Sequence, residues 1–136
     1  MANPHVFERK NVYKDLDFSF KSLALTRDLG TKSDTNAINQ SVKNLVMTNF
    51  GERPFHSEIG SDVNALLFEP ASSISFSALE DAIETVLNNF EPRISLRDVR
   101  VDDNGIDENR IFVRITYVFI EKDETVDTEI ILERAR

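Results

Sequence analysis

Phe90-Glu91-Pro92-Arg93-Ile94 is the point at which the hydrophobic rhythm of this chain changes. Before it, Phe76, Leu79, Ile83, Val86, Leu87 and Phe90 recur with the spacing of one helical face. Pro92 cannot extend that helix. After it, apolar residues alternate as they do along a half-buried strand. Ile94 and Leu96 share one face and Val99 and Val101 the other, so a bulge near Arg97-Asp98 is expected. Asp102-Asp103-Asn104-Gly105 reads as a turn, with room to extend as far as Asn109. Ile111, Val113, Ile115, Tyr117 and Phe119 then alternate with Phe112, Arg114, Thr116, Val118 and Ile120, and Glu121-Lys122-Asp123-Glu124 turns the chain back. Val126, Thr128, Ile130 and Leu132 mark the last strand.

Toward the N-terminus the helical period persists. The helix that ends at Phe90 is predicted to start at Ser75, or at Ser77 with Glu80 completing a capping box. Val63, Leu66 and Leu67 mark a short helix that Ser61 or Asp62 can cap, with Pro70 just past its end. Ile38, Val42, Leu45 and Val46 predict a helix over about 35–48. Ser33, Asp34 and Thr35 are all competent caps for it, and Asn49 and Gly51 stop it. Residues 1–30 hold no sustained period. Phe18 and Phe20, then Leu23 and Leu25, alternate with polar residues up to Gly30, as a short strand or an extended arm. The expected fold class is α+β: an N-terminal extended arm over 1–30, then one domain over 31–136. Two longer helices and one short helix fill 31–91, followed by a three-stranded antiparallel β-meander over 93–134.

Composition narrows the function classes. A chain of 136 residues, 40% hydrophobic and 29% charged, suits one globular domain that buries about two-thirds of its unfolded surface. Ten Phe, no Trp and two Tyr point to a core of apolar rings. A net charge of −8 argues against nonspecific binding to nucleic acid or to anionic membranes, which reward clustered cations. Cysteine is absent, so no disulfide, thiolate nucleophile or thiolate metal site is available. No apolar run approaches the roughly 20 residues of a membrane-spanning helix. Met1-Ala2-Asn3-Pro4-His5-Val6-Phe7-Glu8 lacks a basic segment followed by an apolar one, so no signal peptide is expected.

Two turns carry the candidate chemistry, each placing a Glu/Arg pair beside a proline. Glu91 is predicted at the end of a helix, where the macrodipole disfavours a carboxylate. Arg93 is the obvious relieving cation, acting either within the chain or against a partner. The second turn, Asn49-Phe50-Gly51-Glu52-Arg53-Pro54-Phe55, has Gly51 to close a helix and Pro54 to prevent its extension. Either both arginines satisfy helix-end carbonyls, or the turns form polar contacts with other chains through the planar guanidinium fork. The sheet residues after position 100 hold ten carboxylates against five cations. That is either a solvated acidic face or a charge-protected sheet edge open to strand addition.

Five blocks occur in order: Gln40-Ser41-Val42-Lys43-Asn44-Leu45, Thr48-Asn49-Phe50-Gly51-Glu52-Arg53-Pro54-Phe55, Glu58-Ile59-Gly60-Ser61, Leu66-Leu67-Phe68-Glu69-Pro70 and Glu91-Pro92-Arg93-Ile94. Together they resemble the baseplate wedge and sheath-initiator family of contractile phage tails, a family shared with type VI secretion systems and related injection machines. The resemblance spans roughly residues 20–136. It implies a structural, noncatalytic subunit with no cofactor, present in six copies in the virion tail baseplate after assembly in the host cytoplasm. The implied partners are the tail sheath protein and other wedge, hub and tube-associated proteins. In that family the Glu-Pro-Arg turn joins the helical core bundle of the wedge. This implies core contacts at Glu91, Pro92 and Arg93, and the second turn, with its own Glu/Arg pair beside a proline at Glu52, Arg53 and Pro54, is read as part of the same contact. The family's C-terminal sheet resembles the strand-exchange region of the sheath subunit, which implies strand addition along Val126, Thr128 and Ile130.

Rival chemistries fit less well. A lysozyme-like peptidoglycan hydrolase needs two carboxylates about 5–10 Å apart across a saccharide cleft, one with a raised pKa. Glu52, Glu58, Glu69 and Glu91 are available, but no Trp can supply a sugar platform, and Tyr13 and Tyr117 lie in unrelated segments. His5 and His56 stand alone, without the spacing of metal ligands, so no metal site is expected. Asp102-Asp103-Asn104-Gly105 lacks the ligand spacing of a calcium loop. A generic protein-interaction adaptor is the remaining alternative.

Overall fold

The computed structural model describes residues 13–22, 31–70, 72–102, 110–121 and 123–133. Leu23, Leu25, Gly30 and the turn over 103–109 lie outside them. The chain divides into two compact units, Met1–Ile38 and Asn39–Arg136.

In the first unit β1 (Lys14–Leu16) pairs antiparallel with β2 (Thr31–Ser33). Phe18 and Phe20 are not strand residues. The Asp17 carboxylate accepts from the Ser19 N–H at 3.0 Å and its carbonyl from the Phe20 N–H at 3.0 Å, so the chain turns there. The two rings meet edge to face with centroids 6.2 Å apart, both largely exposed.

Helix α1 (Thr35–Met47) follows the expected boundaries. The Asp34 carbonyl accepts from the Ile38 N–H, while its carboxylate accepts from the Tyr13 N–H instead of capping the helix. At the other end, Thr48 donates to the Asn44 carbonyl and Ser61 to the Val46 carbonyl, satisfying acceptors the helix leaves open. With its hydroxyl so committed, Ser61 does not cap α2 (Val63–Leu67), and Asp62 makes no side-chain cap either.

Helix α3 (Ser73–Phe90) starts earlier than the sequence suggested. Ser72 is the N-cap and forms a reciprocal capping box with Ser75: Ser75 N–H to Ser72 Oγ at 3.1 Å, Ser72 N–H to Ser75 Oγ at 3.0 Å. Ser75 supplies the acceptor usually given by Glu or Gln. Glu80, expected in that role, instead accepts from the Val101 N–H at 2.9 Å and ties α3 to the sheet.

β3 (Ile94–Asp102), β4 (Arg110–Phe119) and β5 (Glu124–Glu133) form an antiparallel meander in the order β3-β4-β5. The predicted α+β fold is therefore observed: two long helices and a short one ahead of a three-stranded sheet. The predicted bulge is present, because the register slips between Leu96 and Asp98. It lets Ile94 and Leu96 share a face with Val99 and Val101 despite their opposite parity. Val113 opposes Ile130, Ile115 opposes Thr128 and Tyr117 opposes Val126. The inner face is fully buried at Val113, Ile115, Tyr117 and Leu132. Burying a large apolar side chain contributes about 1.5–3 kcal/mol, so this face and α3 hold the meander together.

Candidate functional site

Glu91 is the C-cap of α3, and its backbone N–H still donates to the Leu87 carbonyl at 3.0 Å. Its side chain is only 1% exposed. Arg93 Nε donates to Oε1 at 2.5 Å and a terminal nitrogen to Oε2 at 2.6 Å, the fork geometry that carboxylates favour. Ser41 on α1 donates to Oε2 at 2.6 Å. Burial pushes this carboxyl up, but the Arg93 and Ser41 hydrogen bonds and the Arg93 charge outweigh it and hold Glu91 below the ordinary carboxylate value. Of the two expectations for Arg93, relief within the chain is the one observed.

The cluster continues inward. Tyr117 Oη donates to Asn39 Oδ1 at 2.5 Å, and Thr128 Oγ1 reaches the same oxygen at 2.5 Å. Burial raises the Tyr117 pKa; the Thr128 hydrogen bond opposes the shift and the Glu91 charge adds to it. Asn39 and Ser41 on α1, Glu91 and Arg93 at the turn, Tyr117 on β4 and Thr128 on β5 thus form one polar seam joining helices to sheet. Pro92 stays exposed and Arg93 half-buried, so the turn shows its proline and part of its guanidinium outward.

The second turn is organised by Asn49. Its backbone N–H donates to Glu52 Oε2 at 3.0 Å and its amide to Oε1 at 2.6 Å, while Asn64 donates to its Oδ1 at 2.6 Å. Glu52 is therefore engaged by Asn49 and not by Arg53. Arg53 is exposed and forms no ion pair among the described residues. Gly51 takes φ +82, and its N–H donates to the Ser57 carbonyl at 3.0 Å. Gly60 is pressed on the chain: a Cβ there would lie 2.6 Å from the Asn49 carbonyl carbon and the Phe50 nitrogen. Glu58 is exposed, and a backbone hydrogen bond and His56, 3.1 Å away, lower its pKa.

β5 is an end strand, paired with β4 alone among the described residues. Val126, Thr128 and Ile130 belong to its inward register, with Ile130 buried and the other two half-buried. Asp127, Glu129, Ile131 and Glu133 point the other way and are exposed. What the strand offers a neighbour is thus main chain flanked by acidic side chains.

The Baseplate wedge protein gp25 family model matches residues 32–124, which takes in both turns, α1 to α3 and the first two strands of the sheet. The chain belongs to the baseplate wedge protein gp25 family. It is 28% identical over 116 residues to the baseplate wedge protein gp25 of Enterobacteria phage T4, covering 85% of this chain and 86% of that one. Among solved structures it is similar to a chain of the pyocin R2 baseplate in its post-contracted state, with a TM-score of 0.60 at 26% identity, covering 79% of this chain and 98% of that one. A chain of the anti-feeding prophage baseplate shares the fold at a TM-score of 0.69 and 24% identity, covering 77% and 83%. So does a putative tail lysozyme from Geobacter sulfurreducens, at 0.70 and 20% identity, covering 74% and 91%. That last likeness concerns the fold alone.

Ser41, Asn39 and Asn49 were not singled out from sequence as functional. Ser41 and Asn39 flank the apolar stripe of α1, a place polar residues hold on any amphipathic helix, so nothing in the sequence set them apart.

Proposed function

We propose that this chain is a noncatalytic wedge subunit of a contractile-tail baseplate that joins the wedge core through its two turns and starts the sheath at β5. The observation that carries the reading is β5: ten residues at the end of the sheet, paired on one side only among the described residues. An edge strand directs alternate N–H and C=O groups outward, and the acidic side chains along it deter indiscriminate pairing. A sheath strand bearing Lys or Arg would satisfy both features by adding to the sheet. Wedge-core contact is assigned to Glu52, Arg53, Pro54, Glu91, Pro92 and Arg93, with Glu91 acting by holding the Arg93 plane. Six copies around the tail axis would present six such edges, so polymerisation begins on a preformed ring. Tail sheath, hub and tube-associated proteins are the partners, the virion tail baseplate the location and the host cytoplasm the place of assembly.

Hydrolase chemistry is not favoured. A general acid needs a raised pKa, whereas Glu91 and Glu58 are both lowered, and Glu91 is enclosed by Arg93 and Ser41.

The test is a double substitution, Glu129→Lys with Glu133→Lys, on the exposed side of β5, which leaves Ile130 and Leu132 in the core. Baseplates carrying it should assemble at normal yield but bear few or no sheaths by electron microscopy. Sheaths of normal frequency would refute the role of this edge.

A further inference from the structure

Phe55 is wholly exposed, at 100% of its accessible area, and sits at φ +69. That left-handed conformation is costly for a bulky side chain and free for glycine. The residue occupies the third position of a turn closed by the His56 N–H and the Arg53 carbonyl at 3.3 Å, with Pro54 in the second. A positive φ at the third position marks a type II turn, where glycine is the ordinary occupant. The chain therefore bears both a backbone cost and the cost of showing water an aromatic ring, and the ring contributes nothing to its own core.

The surrounding loop braces this display. The Gly51 N–H to Ser57 carbonyl bond closes its base, Asn49 holds both Glu52 oxygens, and Gly60 packs on the Asn49 backbone. Backbone strain combined with a fully presented side chain is what binding segments retain at a stability cost. We infer that Phe55 is an anchor that inserts into an apolar socket on a neighbouring protein of the assembly, with Arg53 meeting a carboxylate at the socket rim. This inference rests on the baseplate reading proposed above, and adds an anchor to the Glu52-Arg53-Pro54 contact.

Charge favours that partner. Glu52 is held by Asn49 and Glu58 pairs with His56, so Arg53 is the charge in this loop left to offer. An aromatic anchor beside an arginine is the usual make-up of an interface hot spot. A lipid surface is the other taker for such a pair, and the chain's net charge of −8 opposes approach to anionic headgroups.

The test uses full-length chain supplied to particles as Phe55→Gly, Phe55→Tyr and Arg53→Glu, with melting of each purified variant measured alongside. Phe55→Gly should melt at or above the wild-type temperature yet enter purified baseplates at least tenfold less. Phe55→Tyr should enter as wild type does, and Arg53→Glu should fall between. A photoreactive p-benzoylphenylalanine in place of Phe55 should crosslink to an apolar, Asp- or Glu-containing peptide of another baseplate chain. Normal incorporation of Phe55→Gly overturns the anchor and leaves the baseplate reading intact. Absence of the wild-type chain from purified particles overturns both. A lower melting temperature for Phe55→Gly shows that the ring serves the fold and also overturns the anchor. Phe55-dependent binding to phosphatidylglycerol vesicles replaces the protein socket with a membrane and overturns it likewise.

Discussion

Replacing Arg93 by alanine would leave the Glu91 carboxylate 1% exposed with the Ser41 hydroxyl and no cation. Removing one partner of a buried ion pair costs about 3–5 kcal/mol, mostly because the other charge stays buried. Arg93 itself is 27% exposed, so water can partly enter its place, and the lower end, about 3 kcal/mol, is the expected loss. For a domain of this size that is a fall of roughly 9 °C in melting temperature. The loss should depend on pH. In the wild type the Glu91 pKa is lowered, so its contribution is present above the unfolded value of about 4.3 and fades as pH falls through the lower folded value. In Arg93→Ala the burial remains and the cation does not, so the folded pKa rises, and the variant loses stability as pH rises through it. The gap between the two proteins is therefore widest near pH 7 and narrows toward about pH 4.5. Urea unfolding followed by circular dichroism at both pH values measures it. Adding Glu91→Gln to Arg93→Ala removes the stranded charge and should recover about half the loss or more. A loss under about 1 kcal/mol, equal at both pH values and unrelieved by Glu91→Gln, would mean that the Arg93 charge does not hold Glu91 in the fold.

Three further expectations concern the scaffold. Gly60→Ala forces a Cβ to within 2.6–2.7 Å of the Asn49 and Phe50 backbone. Backbone cannot yield as a side-chain tip does, so a loss of at least about 2 kcal/mol is expected in thermal melting. Gly51→Ala meets open space and only the positive-φ strain, and should lose about 1 kcal/mol. Ser72→Ala removes the α3 cap that Ser75 uses and should lose about 1 kcal/mol in urea unfolding, whereas Ser77→Ala should be neutral within about 0.5 kcal/mol.

The helices and sheet were legible because one period dominates each of them. The stripe from Phe76 to Phe90 is helical throughout, β-branched and aromatic residues recur at every second position from Ile111 to Phe119 around Arg114 and Thr116, and the parity switch between Leu96 and Val99 required a bulge. The start of α3 was not legible, because Ser72, Ser73, Ser75 and Ser77 are all plausible caps and only packing selects among them. Glu80 illustrates the same limit: at the right spacing for a capping box, it is taken by the Val101 N–H of a strand 21 residues away. At the Glu91 turn, sequence supplied the pair with Arg93 but not Ser41, 50 positions distant. For the second turn, sequence placed Glu52 beside Arg53, yet Asn49 is what holds it, since a side-chain amide and a backbone N–H bind both oxygens together.

The role proposed for the β5 edge can be tested by direct observation. Electron cryomicroscopy of assembled tails containing this chain should show a strand from a sheath subunit hydrogen-bonded along Glu124–Glu133, its cations beside Asp127, Glu129 and Glu133. Tails in which that edge faces solvent, or is covered by another part of this same chain while sheath docks elsewhere, would contradict the account.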